Sequence, residues 1–158
     1  MGLTDHGEII REPPRRPYRI AVLALAAYAL HFTWEMAQAP LFVTMNGRPF
    51  WTATAWCARA AGWDVVISAA AYVCAASVMR NALWVRRCTT LGYATYFGFG
   101  LLVTILIERW ALGSGRWRYD EAMATVAGIG VTPLAQWIIV PAVIAWLARW
   151  RAIPLRSR

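Results

Sequence analysis

Long uncharged runs, separated by short stretches that carry arginine, set the pattern of this chain. Residues 20–47 hold a single charge, Glu35, between Arg19 and Arg48. Residues 65–79 are uncharged between Asp64 and Arg80, residues 88–107 are uncharged up to Glu108, and residues 122–148 are uncharged between Glu121 and Arg149. A helix needs ~20 residues, at ~1.5 Å each, to cross a hydrocarbon core of ~30 Å. Each run therefore reads as one crossing, and the pattern predicts helices over roughly Ile20–Met45, Gly62–Met79, Thr90–Ala111 and Ala122–Leu147. The expected fold is all-α, an integral-membrane four-helix bundle over 20–149, with an arm over 1–19 and a tail over 150–158. The second run spans only if it takes in Asp64, which places a carboxylate at the membrane edge or inside it. Pro133 and Pro141 are expected to kink the fourth helix and widen a chamber beside Gln136, because each proline removes a backbone hydrogen bond. Ala27-Tyr28-Ala29 imitates a signal-peptide cleavage site, but the apolar core before it, 20–26, is short and the run continues past it.

Composition agrees with a membrane protein. Of the 158 residues 59% are hydrophobic and 15% charged, with a mean hydropathy of +0.44, well above the apolar share of ordinary soluble domains. The 16 basic residues are all arginine and the net charge is +8. Nucleic acid is not the expected partner, because the arginines sit in clusters between apolar runs rather than along one face. Their distribution instead orients the bundle. The N-terminal arm (Arg11, Arg15, Arg16, Arg19), the second loop (Arg80, Arg86, Arg87) and the tail (Arg149, Arg151, Arg156, Arg158) outweigh the first loop (Arg48, Arg59) and third loop (Arg109, Arg116, Arg118). The positive-inside rule then puts both termini in the cytoplasm, in a membrane expected to be the bacterial cytoplasmic one. Trp51, Trp56, Trp63, Trp110 and Trp117 would form the outer aromatic belt, and Trp84 and Trp150 the inner one. Trp34 and Trp137 lie inside the first and fourth spans and do not fit a belt. Cys57, Cys74 and Cys88 show no paired spacing, so neither a disulfide nor a zinc site is expected.

Ionisable residues inside a bilayer are costly and need a reason. Counting ~1.5 Å per residue from the inner boundary puts His31, Glu35, Asp64, Glu108 and Gln136 all in the outer half. His31, Glu35 and Gln38 share one helical face with Trp34 beside them. The five polar residues are expected to face one chamber. With His6 in the arm, His31 stands alone as an imidazole in the spans, so no metal and no cofactor is expected.

The segment Trp34-Glu35 through Gln38, Pro40 and Leu41, then Gly62-Trp63-Asp64, Glu108, Gly115-Arg116-Trp117-Arg118-Tyr119, Gly130 and Pro133-Leu134 through Gln136 resembles a group of small multi-pass bacterial membrane proteins. More distantly, Trp34-Glu35 followed by Trp63-Asp64 resembles the integral-membrane terpene cyclases, and the run from Trp117 to Leu134 resembles lycopene cyclase domains. The His31–Glu35 spacing is similar to that of the emopamil-binding sterol isomerases. The cyclase resemblance implies Glu35 as the acid and Asp64 as its partner; the isomerase resemblance implies His31 and Glu35. Ala135-Gln136 stands where lycopene cyclase domains tend to carry acids, and the chain has fewer spans than the cyclases or the isomerases, which leaves room for a homodimer to complete the site.

The chemistry of the residues is compatible with such an activity. A carboxyl group in an apolar chamber has its charged form disfavoured and remains a proton donor near neutrality. Protonating an alkene or epoxide leaves a carbocation, which the faces of Trp34 and Trp137 would stabilise. A base then removes a proton, with His31, Asp64 and Glu108 as candidates. Gln38, Tyr119 and Gln136 complete the expected substrate wall. The leading expectation is an acid–base isomerase or cyclase for a lipophilic isoprenoid or sterol-like molecule. A non-catalytic membrane subunit or a lipid- or pigment-binding module is the alternative, its polar residues holding helices together. A proton-coupled carrier fits less well, since no internal repeat is visible.

Overall fold

The structure, a computed structural model, describes residues 15–87 and 89–152. It is mostly helical (78%). Four helices, α1 (Arg15–Gln38), α2 (Phe50–Val78), α3 (Thr90–Gly113) and α4 (Val131–Ala152), are joined by short loops. Each packs on its neighbour in sequence, and α4 closes the ring against α1. Within them Ile20–Leu41, Phe50–Val78, Thr90–Gly113 and Val131–Arg149 are long and apolar enough to cross a membrane. Four such helices agree with the all-α bundle expected from the sequence.

Helical periodicity explains the packing. On α2 the buried residues Cys57, Ala61, Ser68, Ala71 and Ala75 recur at intervals of three, four or seven residues, and on α3 Gly92, Tyr96, Gly100 and Thr104 recur every fourth residue. Small side chains on facing stripes let membrane helices approach closely, where no hydrophobic force between helices is available. The outward faces carry Leu25, Val66, Val73, Leu102, Leu106 and Ile138, all exposed, as a lipid-facing surface requires.

Three helix limits differ most from the sequence reading. The first helix stops at Gln38, not Met45. Ala39–Leu41 and Val43–Met45 are single 3₁₀ turns, with Pro40 at the start of the first and the backbone between them extended at Phe42. The second helix starts at Phe50, not Gly62, with Pro49 as its N-cap. Arg59 does not end it, because an exposed arginine that lies over the Trp56 ring needs no break in the backbone. Asp64 consequently sits near the middle of α2 rather than at its start. The fourth helix starts at Val131, not Ala122. The residues before it form a hairpin, β1 (Thr125–Val126) against β2 (Ile129–Gly130), turned by Ala127 and Gly128, both with positive φ. Such a two-residue turn needs that backbone. Pro133 then falls in the first turn of α4, where the missing N–H would have had no helical partner, so only Pro141 lies inside the helix.

The loop pair at the end where α1 and α3 finish forms a cap. Phe42 and Tyr119 make an antiparallel bridge, flanked by Val43 N–H to Arg118 C=O at 2.9 Å and Asp120 N–H to Leu41 C=O at 2.9 Å. At the opposite end the expected belt residue Trp84 is fully buried. Its loop folds into the bundle and the indole sits among Tyr72, Tyr93 and Tyr96, at 5.3 to 5.6 Å between ring centroids. Gly92 makes the room: a Cβ there would lie 2.8 Å from the Trp84 ring. Cys57 and Cys74 are free thiols. His6 and Cys88 lie outside the described residues, as do most of the arm and tail.

Candidate active site

At the capped end the four helices enclose a cavity of about 620 Å³, within the ~300–1,000 Å³ of small-molecule sites. Glu35 and Gln38 reach it from α1, Asp64 from α2, Glu108 from α3 and Gln136 from α4. The walls between them are largely apolar, with Phe42, Met45, Ile67, Ile107 and Trp137. The geometry thus brings Glu35, Asp64, Glu108 and Gln136, expected on one chamber, into a single cavity.

His31 belongs to the same group but stands behind the wall. It is fully buried, with Nε2 3.2 Å from Ser68 Oγ and Nδ1 3.0 Å from Gln136 Nε2. Gln136 Nε2 also donates to Asp64 Oδ2 at 3.1 Å, and the imidazole is 3.7 Å from the same carboxylate oxygen. The amide of Gln38 donates to Glu35 Oε1 at 2.9 Å and to Gln136 Oε1 at 3.3 Å. One connected set of bonds therefore runs from Ser68 through His31 and Gln136 to Asp64, and through Gln38 to Glu35. It joins α1, α2 and α4.

Glu108 is held separately by the cap. Oε2 accepts from Trp117 Nε1 at 3.2 Å and from the Tyr119 hydroxyl, while that hydroxyl accepts from the Gly130 N–H at 2.9 Å. Burial first, and then the hydrogen bond to Glu108, push the Tyr119 phenol above its ordinary value of 10.0. Trp117, expected in the outer belt, is turned inward by this contact and is only half-exposed.

The aromatic residues divide. Trp137 lines the cavity and lies 5.6 Å from His31 between ring centroids, in a slot that Gly100 leaves open. Trp34 lies outside the cavity wall: its indole N–H donates to the Thr132 C=O at 3.2 Å, tying α1 to the start of α4. Tyr119 is likewise off the wall and reaches the site only through Glu108. Phase alone could not separate these residues, because Trp34 is one position from Glu35 and points to the neighbouring helix instead.

Residues not singled out by the sequence line the opening. Arg48, Arg59 and Arg116 do so together with Trp56 and Trp110. No pattern in the chain marks them as a group, since Arg48 and Arg116 stand in different loops and Arg59 on α2. Two buried side-chain atoms on or beside the cavity, Gln38 Oε1 and Thr104 Oγ1, have no hydrogen-bond partner. Among the described residues no three His, Cys, Asp or Glu side chains converge to hold a metal ion. No family model, curated protein or solved structure matches the chain.

Proposed function

We propose that this protein is a membrane-embedded acid–base isomerase or cyclase acting on a lipophilic isoprenoid or sterol-like molecule. The observation that carries the reading is the convergence of Glu35, Asp64 and Glu108, from three helices, on one largely apolar cavity. Scattered structural carboxylates have no reason to share a cavity, since each is costly in a membrane. Glu35 acts as the acid: its proton adds to an alkene carbon or epoxide oxygen, leaving a carbocation and the Glu35 carboxylate. Trp137 offers its ring to that cation. Asp64 removes a proton from a neighbouring carbon, the C–H electron pair forms the new double bond, and the Gln136–His31 contacts orient the Asp64 carboxylate. In the overall reaction the substrate gains one proton and loses one, and exchange with water at the opening returns the proton from Asp64 to Glu35 before the next turnover, so no further reactant is needed.

The reading places the protein in the bacterial cytoplasmic membrane with both termini cytoplasmic and α4 bent at Pro141. It also extends the resemblance to membrane terpene cyclases and sterol isomerases, whose acid it assigns to Glu35. A second reading, a non-catalytic subunit or a lipid- or pigment-binding module, draws support from the Ser68–His31–Gln136–Gln38 bonds, which tie helices together as interhelical polar contacts do. Comparison of lipid extracts from cells that carry the parent gene, the Glu35→Gln variant or a deletion separates the two. The enzyme reading expects a lipid that accumulates equally in the variant and the deletion. Three identical profiles would leave the binding or scaffold role.

A further inference from the structure

We infer that the opening of the cavity is a phosphate-ester site, and that the substrate is an isoprenoid bearing a phosphate or diphosphate head. This rests on the acid–base reading above for the word substrate, but the binding site stands on its own geometry.

Arg48 and Arg59 lie over the same indole, with guanidinium carbons 5.0 and 4.5 Å from the centre of the Trp56 ring. Arg116 lies 4.3 Å from the Trp110 ring, also at the cavity. Stacking holds a guanidinium plane in place and leaves its edge N–H groups free to donate. Arg48 uses its Nε on the Thr44 C=O at 2.6 Å, which leaves its two terminal nitrogens. None of the three forms an ion pair with a carboxylate among the described residues. That is unexpected in a cavity that also holds three carboxyl groups, and it follows from depth. Asp64 lies more than one helical turn further into α2 than Arg59, and Glu35 and Glu108 are bonded to Gln38 and to Trp117 and Tyr119. Arginines on a cavity rim, stacked and without a counter-charge, present the fork that matches phosphate oxygens.

Two further observations point to an occupant. Gln38 and Thr104 are each more than nine-tenths buried, and Gln38 Oε1 and Thr104 Oγ1 lack a partner. Both residues line the cavity, and buried polar atoms in native proteins are rarely left unpaired. Arg48 and Arg116 also stand in loops and Arg59 on an exposed position of α2, at the end of the bundle that carries fewer arginines in the sequence, where the positive-inside rule gives them no part in orienting the chain. The cavity is thus graded, with a basic rim, apolar walls and an acidic floor. A prenyl phosphate matches that order, with its head on the arginines and its chain along Phe42, Ile67 and Ile107 towards Glu35 and Asp64.

The test is calorimetric titration of the purified protein in a neutral detergent with farnesyl diphosphate, farnesol and inorganic diphosphate. Farnesyl diphosphate is expected to bind at least ~10-fold tighter than farnesol, as a few charge-assisted hydrogen bonds imply, with the gap narrowing as salt rises. The triple variant Arg48→Gln, Arg59→Gln, Arg116→Gln should close the gap and leave farnesol binding unchanged. The three side chains are exposed, and each single variant should show part of the same loss should the triple prove unstable. Equal affinity for farnesyl diphosphate and farnesol, or arginine variants that keep the preference, would overturn the inference. Micellar phosphatidylglycerol that displaces farnesyl diphosphate at equal concentration would overturn it in favour of a membrane-lipid site. Tighter binding of inorganic diphosphate than of the farnesyl ester would reduce it to a free-anion site. Glu35→Gln should retain the preference for farnesyl diphosphate. If it does so while the lipid profiles above are identical, the acid–base reading fails and the phosphate-ester site remains.

Discussion

Glu35 and Gln136 differ by one atom type at the end of the side chain, and the proposed reaction depends on that difference. An amide in the Glu35 position keeps the volume and still bonds to Gln38, but has no proton to give. Glu35→Gln is therefore expected to melt in detergent near the parent temperature while turnover falls ~10²-fold or more, the usual share of general acid catalysis. Equal losses in melting and turnover would mark Glu35 as a structural residue. Tyr119 supports a second prediction at this scale. Its phenol is raised above 10.0 by burial and then by Glu108, so the folded chain holds the proton more tightly than the unfolded one. The resulting stability is complete below the ordinary value and is lost as pH rises above about 10. Tyr119→Phe leaves the Gly130 N–H without its partner and should lose ~1–3 kcal/mol at neutral pH. Melting curves should then show a shallower fall for the variant than for the parent as pH rises from about 10 to about 12. Parallel falls would mean that other groups set the alkaline limb.

At the scale of the element, α3 shows how far the sequence could be read. Its uncharged run gave its limits to within two residues, because apolar length is what a bilayer selects. The limits of α1, α2 and α4 were less legible. Hydropathy does not distinguish helix from the 3₁₀ turns after Gln38 or from the hairpin before Val131, and a charge such as Arg59 need not end a helix. The candidate site was legible as a level in the membrane, from Glu35, Asp64, Glu108 and Gln136. Its rim was not, since Arg48, Arg59 and Arg116 come together only through tertiary packing. Glycine on α3 offers a matched pair of tests. A Cβ at Gly100 would meet Trp137 at 2.2 Å, whereas one at Gly98 meets nothing within 4 Å. Gly100→Ala must displace a wedged indole and should cost ~1–3 kcal/mol by overpacking. Gly98→Ala should gain up to ~1 kcal/mol from helix propensity alone. Thermal melting of both variants reads the sign; the same sign for both would show that Trp137 is not fixed against α3.

For the whole molecule the open quantity is direction across the membrane. α1 and α3 have 24 residues each and α2 has 29. At ~1.5 Å per residue α2 extends well beyond a ~30 Å core, so its first turns, with exposed Trp51 and Trp56, lie at an interface. That interface is on the cavity side, where Arg48, Arg59 and Arg116 gather. The opposite side carries the 80–87 loop with its arginines, the start of α1 with Arg15, Arg16 and Arg19, and the end of α4 with Arg149 and Arg151, and arginine excess in short loops marks the cytoplasmic face. The two sets compete, and the proposed cytoplasmic termini follow from the larger number in the arm, 80–87 loop and tail of the sequence. Reporter fusions at Asn81 and at the C-terminus are expected to be active only with a cytoplasmic reporter, and a fusion at Ser114 only with an external one. The inverse result would turn the cavity towards the cytoplasm. A mixed population at all three positions would mean that the rim arginines balance the others. Replacing Arg48, Arg59 and Arg116 by glutamine should then push such a mixture to a single orientation, which ties direction in the membrane to the residues that line the opening.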